Sequence, residues 1–197
     1  MGKRNPIILI HGLWTSSSIF SSITSQLDEI GVEYFAPTLN HSYGMTSIID
    51  LTITLDKLIL EKYGLETEID ILGFSMGGII ARYWLQKFDG YKRTRRFISI
   101  GSPHKGTLMA QLVPKYTFRG ISEMKINSNF LRDLAKNDFV FDGIECISIF
   151  TYWDLMVFPS WRTNLNLGEK ISVKVYKHRN LVRNKLAIQR IIEKIMM

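Results

Sequence analysis

The stretch Gly73-Phe74-Ser75-Met76-Gly77-Gly78 decides the fold, because it joins a strand pattern to a helix pattern. Residues 69–72 before it form a short apolar run, and residues 76–88 after it follow a helical period. A G-x-S-x-G motif in this context predicts a sharp turn that projects the serine hydroxyl above the edge of a sheet. Glycines on both sides of the serine allow the strand and the helix to pack closely, because they have no Cβ.

Further strands and helices alternate along the chain on both sides of this turn. The apolar patterns predict strands at 6–10, 32–36, 96–100, 145–150 and 171–176, and helices at 16–30, 46–63 and 182–195. Ser16, Ser17 and Ser18 are candidate N-caps of the first helix, and Gly64 is a candidate C-cap of the second. The alternation predicts an α/β protein whose mostly parallel sheet carries helices on both faces.

The 197 residues are expected to form a single domain, 1–197, since no repeat, linker or low-complexity stretch divides them. Residues 105–143 are less regular, because they contain Pro114, Gly120 and only short helical patches. We expect this segment to form a short cap or lid over the sheet. Ligands of parallel sheets bind beyond the carboxyl ends of the strands, so the residues that follow each strand are the candidates for a site.

The chain is basic, with 25 Lys and Arg against 18 Asp and Glu and a formal net charge of +7. That balance favours anionic partners, namely a membrane surface, a nucleic acid or an acidic substrate. Residues 92–96 are a basic cluster, and Lys115, Arg119 and Lys125 add charge in the cap segment. We expect a solvated basic face here, and peripheral contact with an anionic membrane is the sharper hypothesis. No nucleic acid is expected as a partner, since no DNA- or RNA-binding motif is present.

Several classes of protein are excluded by the single cysteine, the lack of metal-ligand motifs and the short apolar runs. Cys146 is the single cysteine, which excludes an internal disulfide framework and a cysteine-based zinc finger. No metal-ligand motif is present, and neither a metal nor a cofactor is expected. No apolar run approaches the roughly 20 residues that span a bilayer, and the apolar run at 7–10 is shorter than a signal peptide needs. We expect a cytoplasmic protein, with membrane association as an alternative, and the oligomeric state stays open.

Four stretches resemble the small lipases and esterases of the α/β-hydrolase fold, a family of triacylglycerol lipase-like enzymes. They are ILIHGLW at 8–14, GFSMGG at 73–78, GSPHKGT at 101–107 and NSNFLRDL at 127–134, and the resemblance covers essentially the whole chain in order. It implies an α/β-hydrolase fold with Ser75 as the nucleophile. Phe74 departs from the family, which usually has histidine there, and this implies altered packing near the turn rather than lost chemistry.

A serine nucleophile needs a base, and the base needs a carboxylate that orients it. In this fold the order along the chain is serine, then acid, then histidine. His178 follows the last predicted strand and Asp154 follows the strand before it, so these two residues are the candidates. Asp154 also resembles the aspartate that the family has before a Val and a Pro at this spacing. Of the other residues of these types, His11 and His41 precede the serine, His104 is interpreted as structural or as a neighbour of the site, and Asp133, Asp138 and Asp142 are interpreted as solvated loop carboxylates.

The residues after the first strand are expected to complete an oxyanion hole, which needs two N–H groups aimed at the developing charge. One candidate is the N–H of Met76, directly after the nucleophile. The other is the N–H of Leu13, which follows the close turn that Gly12 allows. His11, at the end of the strand, is interpreted as structural.

These residues predict a serine hydrolase that cleaves carboxylic esters through an acyl-enzyme. An acyl ester or lipid is the expected substrate, because large apolar side chains are predicted at the active edge, as in pockets for apolar ligands. They are Trp14, Phe20, Met76, Tyr116, Phe118, Trp153, Met156, Phe158 and Trp161. The alternatives are a thioesterase or an acyltransferase with the same triad, and a non-catalytic member of the fold that binds a lipid or signal molecule.

Overall fold

The computed structural model describes residues 4–114 and 116–197, and its centre is a six-stranded sheet. The strands are β1 (Ile7–Ile10), β2 (Tyr34–Phe35), β3 (Ile69–Phe74), β4 (Thr94–Ile100), β5 (Glu145–Phe150) and β6 (Glu169–Ser172), in the spatial order β2-β1-β3-β4-β5-β6. Every neighbouring pair is parallel, which confirms the predicted sheet. The carboxyl ends of all strands therefore lie at one edge, the edge where α/β sheets bind ligands.

Helices cover both faces of the sheet. They are α1 (Ser21–Glu29), α2 (Ile48–Tyr63), α3 (Met76–Lys87), α4 (Leu108–Gln111), α5 (Arg119–Glu123), α6 (Asn129–Ala135) and α7 (Lys185–Met196). Successive residues of a strand point to opposite faces, and β1 demonstrates this. Ile7 and Leu9 pack in a buried cluster with α1 and α7, whereas Ile8 and Ile10 pack in a second cluster with α2 and α3.

The ends of α2 follow from its capping residues. The Ser47 side chain accepts a hydrogen bond from the Asp50 N–H at 3.0 Å, which satisfies a free donor at the start of the helix. Gly64, with a φ of +66°, ends the helix as predicted.

Among the described residues, no helix is both long enough and apolar enough to cross a membrane.

The start of the first helix differs from the prediction. A short 3-10 turn (Ser17–Phe20) precedes α1, and no serine side chain caps either element. The Ser16 and Ser18 hydroxyls hydrogen bond to each other at 2.8 Å, and the Ser17 hydroxyl bonds to that of Thr38 at 2.9 Å. Ser16 does occupy the N-cap position of the 3-10 turn, but the predicted side-chain capping is absent, because the three hydroxyls have side-chain partners instead of helix N–H groups.

Strand β6 begins and ends earlier than the predicted strand at 171–176. The Val173 N–H still donates to the Phe150 carbonyl at 2.8 Å, but the Val175 N–H turns back to the Val173 carbonyl at 2.9 Å. That local bond takes the chain out of the ladder. Both valines stay buried, so the apolar pattern extends beyond the strand itself. Strand β2 is likewise shorter than the predicted 32–36.

The segment 105–143 contains α4, α5 and α6, of which α5 contacts α2 and α6 contacts α3. Asp138 is not the solvated loop carboxylate that the sequence suggested. Its Oδ1 lies 2.6 Å from an Nη of the buried Arg82 and accepts a hydrogen bond from Gln86 at 3.2 Å. A buried guanidinium without a carboxylate would be costly, which explains why this residue is drawn inward.

The basic cluster at 92–96 does not form the expected solvated face throughout. Arg96 is buried and pairs with Glu145 at 2.7 Å and with Asp70 at 3.7 Å. Arg95 pairs with Asp70 at 2.7 Å. Much of this positive charge is therefore neutralised at the amino end of β4, away from the carboxyl edge of the sheet. Of the three basic residues singled out in the cap, Lys115 lies outside the described residues.

Candidate active site

Ser75 occupies the sharp turn between β3 and α3, with φ 56° and ψ −125°. This is a sparsely populated backbone conformation for a residue other than glycine, and such strain is concentrated at functional sites. The turn also brings α3 very close to β1, since a Cβ on Gly77 would lie 2.0 Å from the Ile10 carbonyl oxygen. Glycine after the serine is therefore a steric requirement, as the sequence predicted.

The structure brings His178 and Asp154 together from two separate loops. His178 begins a 3-10 turn before α7, and its Nδ1 lies 2.6 Å from Asp154 Oδ2. The other oxygen, Oδ1, accepts the N–H groups of Met156 at 2.9 Å and Val157 at 3.0 Å. The Asp154 carboxylate is 1% exposed, so it is held on three sides and shielded from water.

This contact fixes the tautomer of His178. An ionised carboxylate only accepts hydrogen bonds, so Nδ1 of His178 must carry the proton that it shares with Asp154. The lone pair of the neutral ring is then on Nε2, which has no hydrogen-bond partner within the described residues. An unpartnered imidazole nitrogen beside a serine is the arrangement that general-base catalysis needs.

Ser75 and His178 line one cavity of about 460 Å³. Its other lining residues are mostly aliphatic, namely Leu13, Trp14, Thr15, Phe74, Pro103, Thr107, Met109, Ala110, Leu112, Val113, Ile121, Met124, Met156, Val157 and Arg179. Among the described residues, no hydrogen bond joins the Ser75 hydroxyl to the His178 ring. Contacts of this kind are often loose without substrate and tighten when it binds.

The two N–H groups expected to form the oxyanion hole both border Ser75. Met76 is the first residue of α3, so its N–H is one of the donors that the helix itself leaves free. Gly12 packs against the nucleophile, because a Cβ at Gly12 would lie 2.7 Å from the Ser75 Cβ, and Leu13 follows it. No hydrogen bond within 4–114 and 116–197 uses the N–H of Leu13 or of Met76.

His11 is buried beneath this loop and has a structural role. The Leu39 N–H donates to its Nε2 at 2.9 Å, so Nδ1 carries the proton and donates to the Gly12 carbonyl at 3.0 Å. Burial lowers the pKa of His11, which keeps the ring neutral and this pattern intact. His11 thus fixes the backbone from which the Leu13 N–H projects.

Two residues that contact the site were not assigned a role from the sequence. The Phe74 ring lies against the His178 ring, with centroids 4.8 Å apart. The phenylalanine that stands where the similar lipases usually have histidine therefore contacts the proposed base directly. The Thr107 hydroxyl donates to the Met156 carbonyl at 2.8 Å and accepts the Phe158 N–H at 3.3 Å, which braces the Asp154 loop. The sequence did contain a clue to Thr107, because this residue belongs to the stretch 101–107 that resembles the small lipases and esterases.

Other residues singled out from the sequence lie elsewhere. His104 is buried, and its Nε2 lies 2.6 Å from the Ser99 hydroxyl rather than at the cavity. Burial and the charge of Arg82 hold the pKa of His104 well below its usual range. Phe20 and Met76 belong to the buried core, so they were wrongly expected to line an apolar pocket. Within the described residues, no group of three or more His, Cys, Asp or Glu side chains could hold a metal ion.

Solved structures share this fold at low sequence identity. The mature lipase BlEst2 of Bacillus licheniformis has a TM-score of 0.76 at 14% identity, covering 99% of this chain and 93% of that one. Lipase B of Aspergillus fumigatus has a TM-score of 0.78 at 15% identity, and the match covers 98% of this chain but 53% of the lipase. MGS-MChE2, an α/β-hydrolase from the sediment metagenome of the Mar Chica lagoon in Morocco, gives 0.70 at 19% identity, with 98% and 90% covered. These similarities confirm the α/β-hydrolase fold.

Two comparisons used the sequence itself. In the first, no curated protein matches this sequence significantly. In the second, the sequence matches a family model. The model of the palmitoyl protein thioesterases matches residues 6–154, a stretch that includes Ser75 and ends at Asp154. Because that stretch is well over half of the chain, this lipase- and esterase-like α/β-hydrolase belongs to the palmitoyl protein thioesterase family.

Proposed function

We propose that this chain is a serine hydrolase in which Ser75 is the nucleophile, His178 the general base and Asp154 the carboxylate that orients the base. The observation that carries the proposal is the 2.6 Å contact between His178 Nδ1 and Asp154 Oδ2, with Nε2 left without a partner among the described residues and with His178 lining the same cavity as Ser75. His11, which has a structural role, instead has both ring nitrogens engaged.

In the first half of the reaction, the Ser75 oxygen attacks the acyl carbonyl carbon and its proton passes to His178 Nε2. The bond between that carbon and the leaving oxygen or sulfur then breaks, and the same proton leaves with the alcohol or thiol. The N–H groups of Leu13 and Met76 stabilise the negative charge on the carbonyl oxygen. Asp154 stabilises the positive charge that forms on the imidazole.

In the second half, a water molecule attacks the acyl-enzyme. The water proton passes to His178 Nε2 as the water oxygen bonds to the acyl carbon. The bond from that carbon to Ser75 then breaks, and Ser75 recovers the proton from His178. The net reaction is hydrolysis of one ester or thioester bond, with a carboxylic acid released.

The substrate that the cavity favours carries an apolar acyl chain. Aliphatic side chains of the segment from Met109 to Met124 and of the loop after Asp154 line much of its wall. Pockets with such walls and a few polar groups bind apolar ligands. The family to which the chain belongs is named for palmitoyl thioesters, which supports a thioester of a long acyl chain as well as an oxygen ester.

We also propose peripheral contact with an anionic membrane at the mouth of this cavity. Large apolar side chains are exposed there, an arrangement that marks interaction sites in soluble proteins. They include Trp14, Leu112, Trp153, Leu155, Met156 and Phe158. Exposed Lys177 and Arg179 stand beside them and would favour anionic lipid.

Sedimentation with vesicles tests the membrane contact. We expect more protein to pellet with phosphatidylglycerol vesicles than with phosphatidylcholine vesicles. Replacing the exposed Trp153 and Leu155 by serine should reduce the pelleted fraction, whereas replacing Leu65, exposed at the far end of α2, should not. Equal pelleting of wild type and the Trp153/Leu155 variant would contradict the contact.

The catalytic proposal is tested with p-nitrophenyl esters from acetyl to palmitoyl and with acyl thioesters of the same lengths. We expect turnover that rises with chain length and depends on Ser75, with Ser75→Ala as the control. Adding an alcohol acceptor and analysing the products separates hydrolysis from acyl transfer. If folded wild type cleaved no member of either series, the proposal would fail and a binding role would be favoured.

A further inference from the structure

A second cavity, of about 540 Å³, lies next to the cavity that Ser75 and His178 line, and its walls are mostly polar rather than aliphatic. We call it the polar cavity, and we call the cavity of Ser75 and His178 the acyl or aliphatic cavity. Arg179 and Arg183 line it together with His41 and with the polar side chains of Thr15, Ser16, Ser18, Asn40 and Ser42. No aspartate or glutamate is among its lining residues. A concave site that combines two guanidinium groups with polar side chains and no carboxylate is suited to an anion.

The positive charge of this polar cavity is not neutralised by the protein. Elsewhere in the chain, Arg82, Arg95 and Arg96 each pair with a carboxylate. Arg179 and Arg183 are exposed, and within the described residues neither forms an ion pair. Within residues 4–114 and 116–197, the Arg179 side chain makes a single hydrogen bond, to the Trp14 carbonyl at 3.4 Å, which leaves most of its donors available.

The polar cavity also lies where a leaving group must go. Trp14, Thr15 and Arg179 line both cavities, so the two spaces lie next to each other. Arg179 directly follows His178, the residue that protonates the leaving group in the proposed reaction. An acyl chain in the aliphatic cavity, with its carbonyl carbon at Ser75, would therefore direct its leaving group past His178 toward Arg179.

We propose that the polar cavity binds a phosphate group carried by the alcohol or thiol half of the substrate. This inference rests on the proposed hydrolase function and assigns the class of its leaving group. Arginine binds phosphate through two parallel N–H···O contacts, and two arginines with serine and threonine hydroxyls can surround such a group. The phosphate could belong to a glycerol phosphate ester or to an acyl-coenzyme A thioester.

Matched substrates test the inference. Each pair has the same octanoyl chain and scissile bond and differs by one phosphate: octanoyl-4′-phosphopantetheine against octanoyl-pantetheine, and octanoyl glycerol phosphate against octanoyl glycerol. The readout is the ratio of kcat/KM within a pair, measured below the concentration at which these compounds aggregate. The two pairs distinguish the phosphate of a coenzyme A-type thiol from a glycerol-borne phosphate.

Wild type should prefer the phosphate-bearing member of at least one pair. We expect Arg179→Gln or Arg183→Gln to reduce that preference about tenfold and the double variant to abolish it, as for lost hydrogen bonds to charged groups. Both arginines are exposed, so these variants should fold. Lys57→Gln, which removes an exposed charge on α2 outside the cavity, is the matched control and should keep the preference.

The outcomes separate this inference from the proposed function. Equal kcat/KM within both pairs, or a preference that the double variant retains, would overturn the phosphate site while leaving a Ser75-dependent hydrolase. A preference lost equally in Lys57→Gln would also overturn it, because the effect would then come from overall charge. Absence of Ser75-dependent turnover on all four compounds would overturn this inference, and the hydrolase would fall with it only if the p-nitrophenyl ester and acyl thioester series were also left uncleaved.

Discussion

Two regions of the molecule each combine a serine, a histidine and an aspartate, yet only one has the features of a catalytic site. At the carboxyl edge of the sheet are Ser75, His178 and Asp154. Under α3 are Ser99 and His104, joined by a 2.6 Å hydrogen bond, with the Arg82–Asp138 ion pair nearby. Among the described residues, only the buried region has a hydrogen bond between its serine and its histidine, so such a bond does not identify the site.

The difference lies in what the histidine faces. His178 has a carboxylate on Nδ1 and lines a substrate-sized cavity, so it can accept a proton and hold the charge. His104 instead has the serine on Nε2 and no partner on Nδ1, and the positive charge of Arg82 opposes its protonation. A base needs both a counter-charge and access to substrate, and the buried region offers neither.

Replacing the serine of each region should give the largest difference between the two regions, because one change acts on kcat and the other on stability. We expect Ser75→Ala to lower kcat by roughly a million-fold, the loss known for nucleophiles of serine proteases, while the fold stays intact. Ser99→Ala should keep kcat but lower the free energy of unfolding by about 1–3 kcal/mol, because His104 loses its buried partner. Ester assays and urea unfolding of both variants check this, and more than about one per cent residual turnover in Ser75→Ala would contradict the assignment.

Replacing the carboxylate of the catalytic region should have the next largest effect on rate. Asp154→Asn can donate to His178 Nδ1, which favours the wrong tautomer of the base. We expect kcat to fall by about ten-thousand-fold with KM little changed. Asp142→Asn, at an exposed carboxylate, is the control and should turn over at the wild-type rate. Full activity in Asp154→Asn would refute the role of that residue alone.

Removing the carboxylate of the buried region should act on stability rather than on rate. Asp138→Asn leaves the Arg82 guanidinium buried without a counter-charge, and we expect a loss of about 3 kcal/mol in the free energy of unfolding. The matched control is Asp133→Asn, which breaks the more exposed pair with Lys87 and should cost less than about 1 kcal/mol. Equal midpoints in urea for the two variants would show that the buried pair has no special weight.

The pH dependence of stability gives the smallest expected effect. Because the pKa of His104 in the folded protein is well below its ordinary value of 6.5, the unfolded chain binds more protons below that pH. Stability should therefore fall as pH drops below 6.5, by at most about 1.4 kcal/mol per pH unit from this group. NMR titration of the ring checks the cause, with His104→Gln to assign the signal. A His104 midpoint at or above pH 6.5 would contradict it.

Local patterns were sufficient wherever the physics is local. Around Ser75, the sequence predicted a strand from the apolar run, a sharp turn from the G-x-S-x-G motif and a helix from the helical period. The motif predicted the turn because a turn that tight requires glycine at position 77. The order of strands along the chain also placed Asp154 and His178 after the correct strands. The ends of β6 could not be predicted, since Val173 and Val175 are buried whether or not they join the ladder.

The sequence by itself determined the parallel α/β architecture and the residues at the carboxyl edge of the sheet, because periodicity and turn chemistry are properties of neighbouring residues. Only the tertiary structure decided which polar groups meet. It brought Asp138 to Arg82, which turned an expected loop carboxylate into a buried ion pair, and it set Phe74 against His178. It also left Arg179 and Arg183, which line the polar cavity, without an ion pair to any carboxylate of the described residues. Pairing and burial depend on residues far apart in the chain, and they set the energy of a charge.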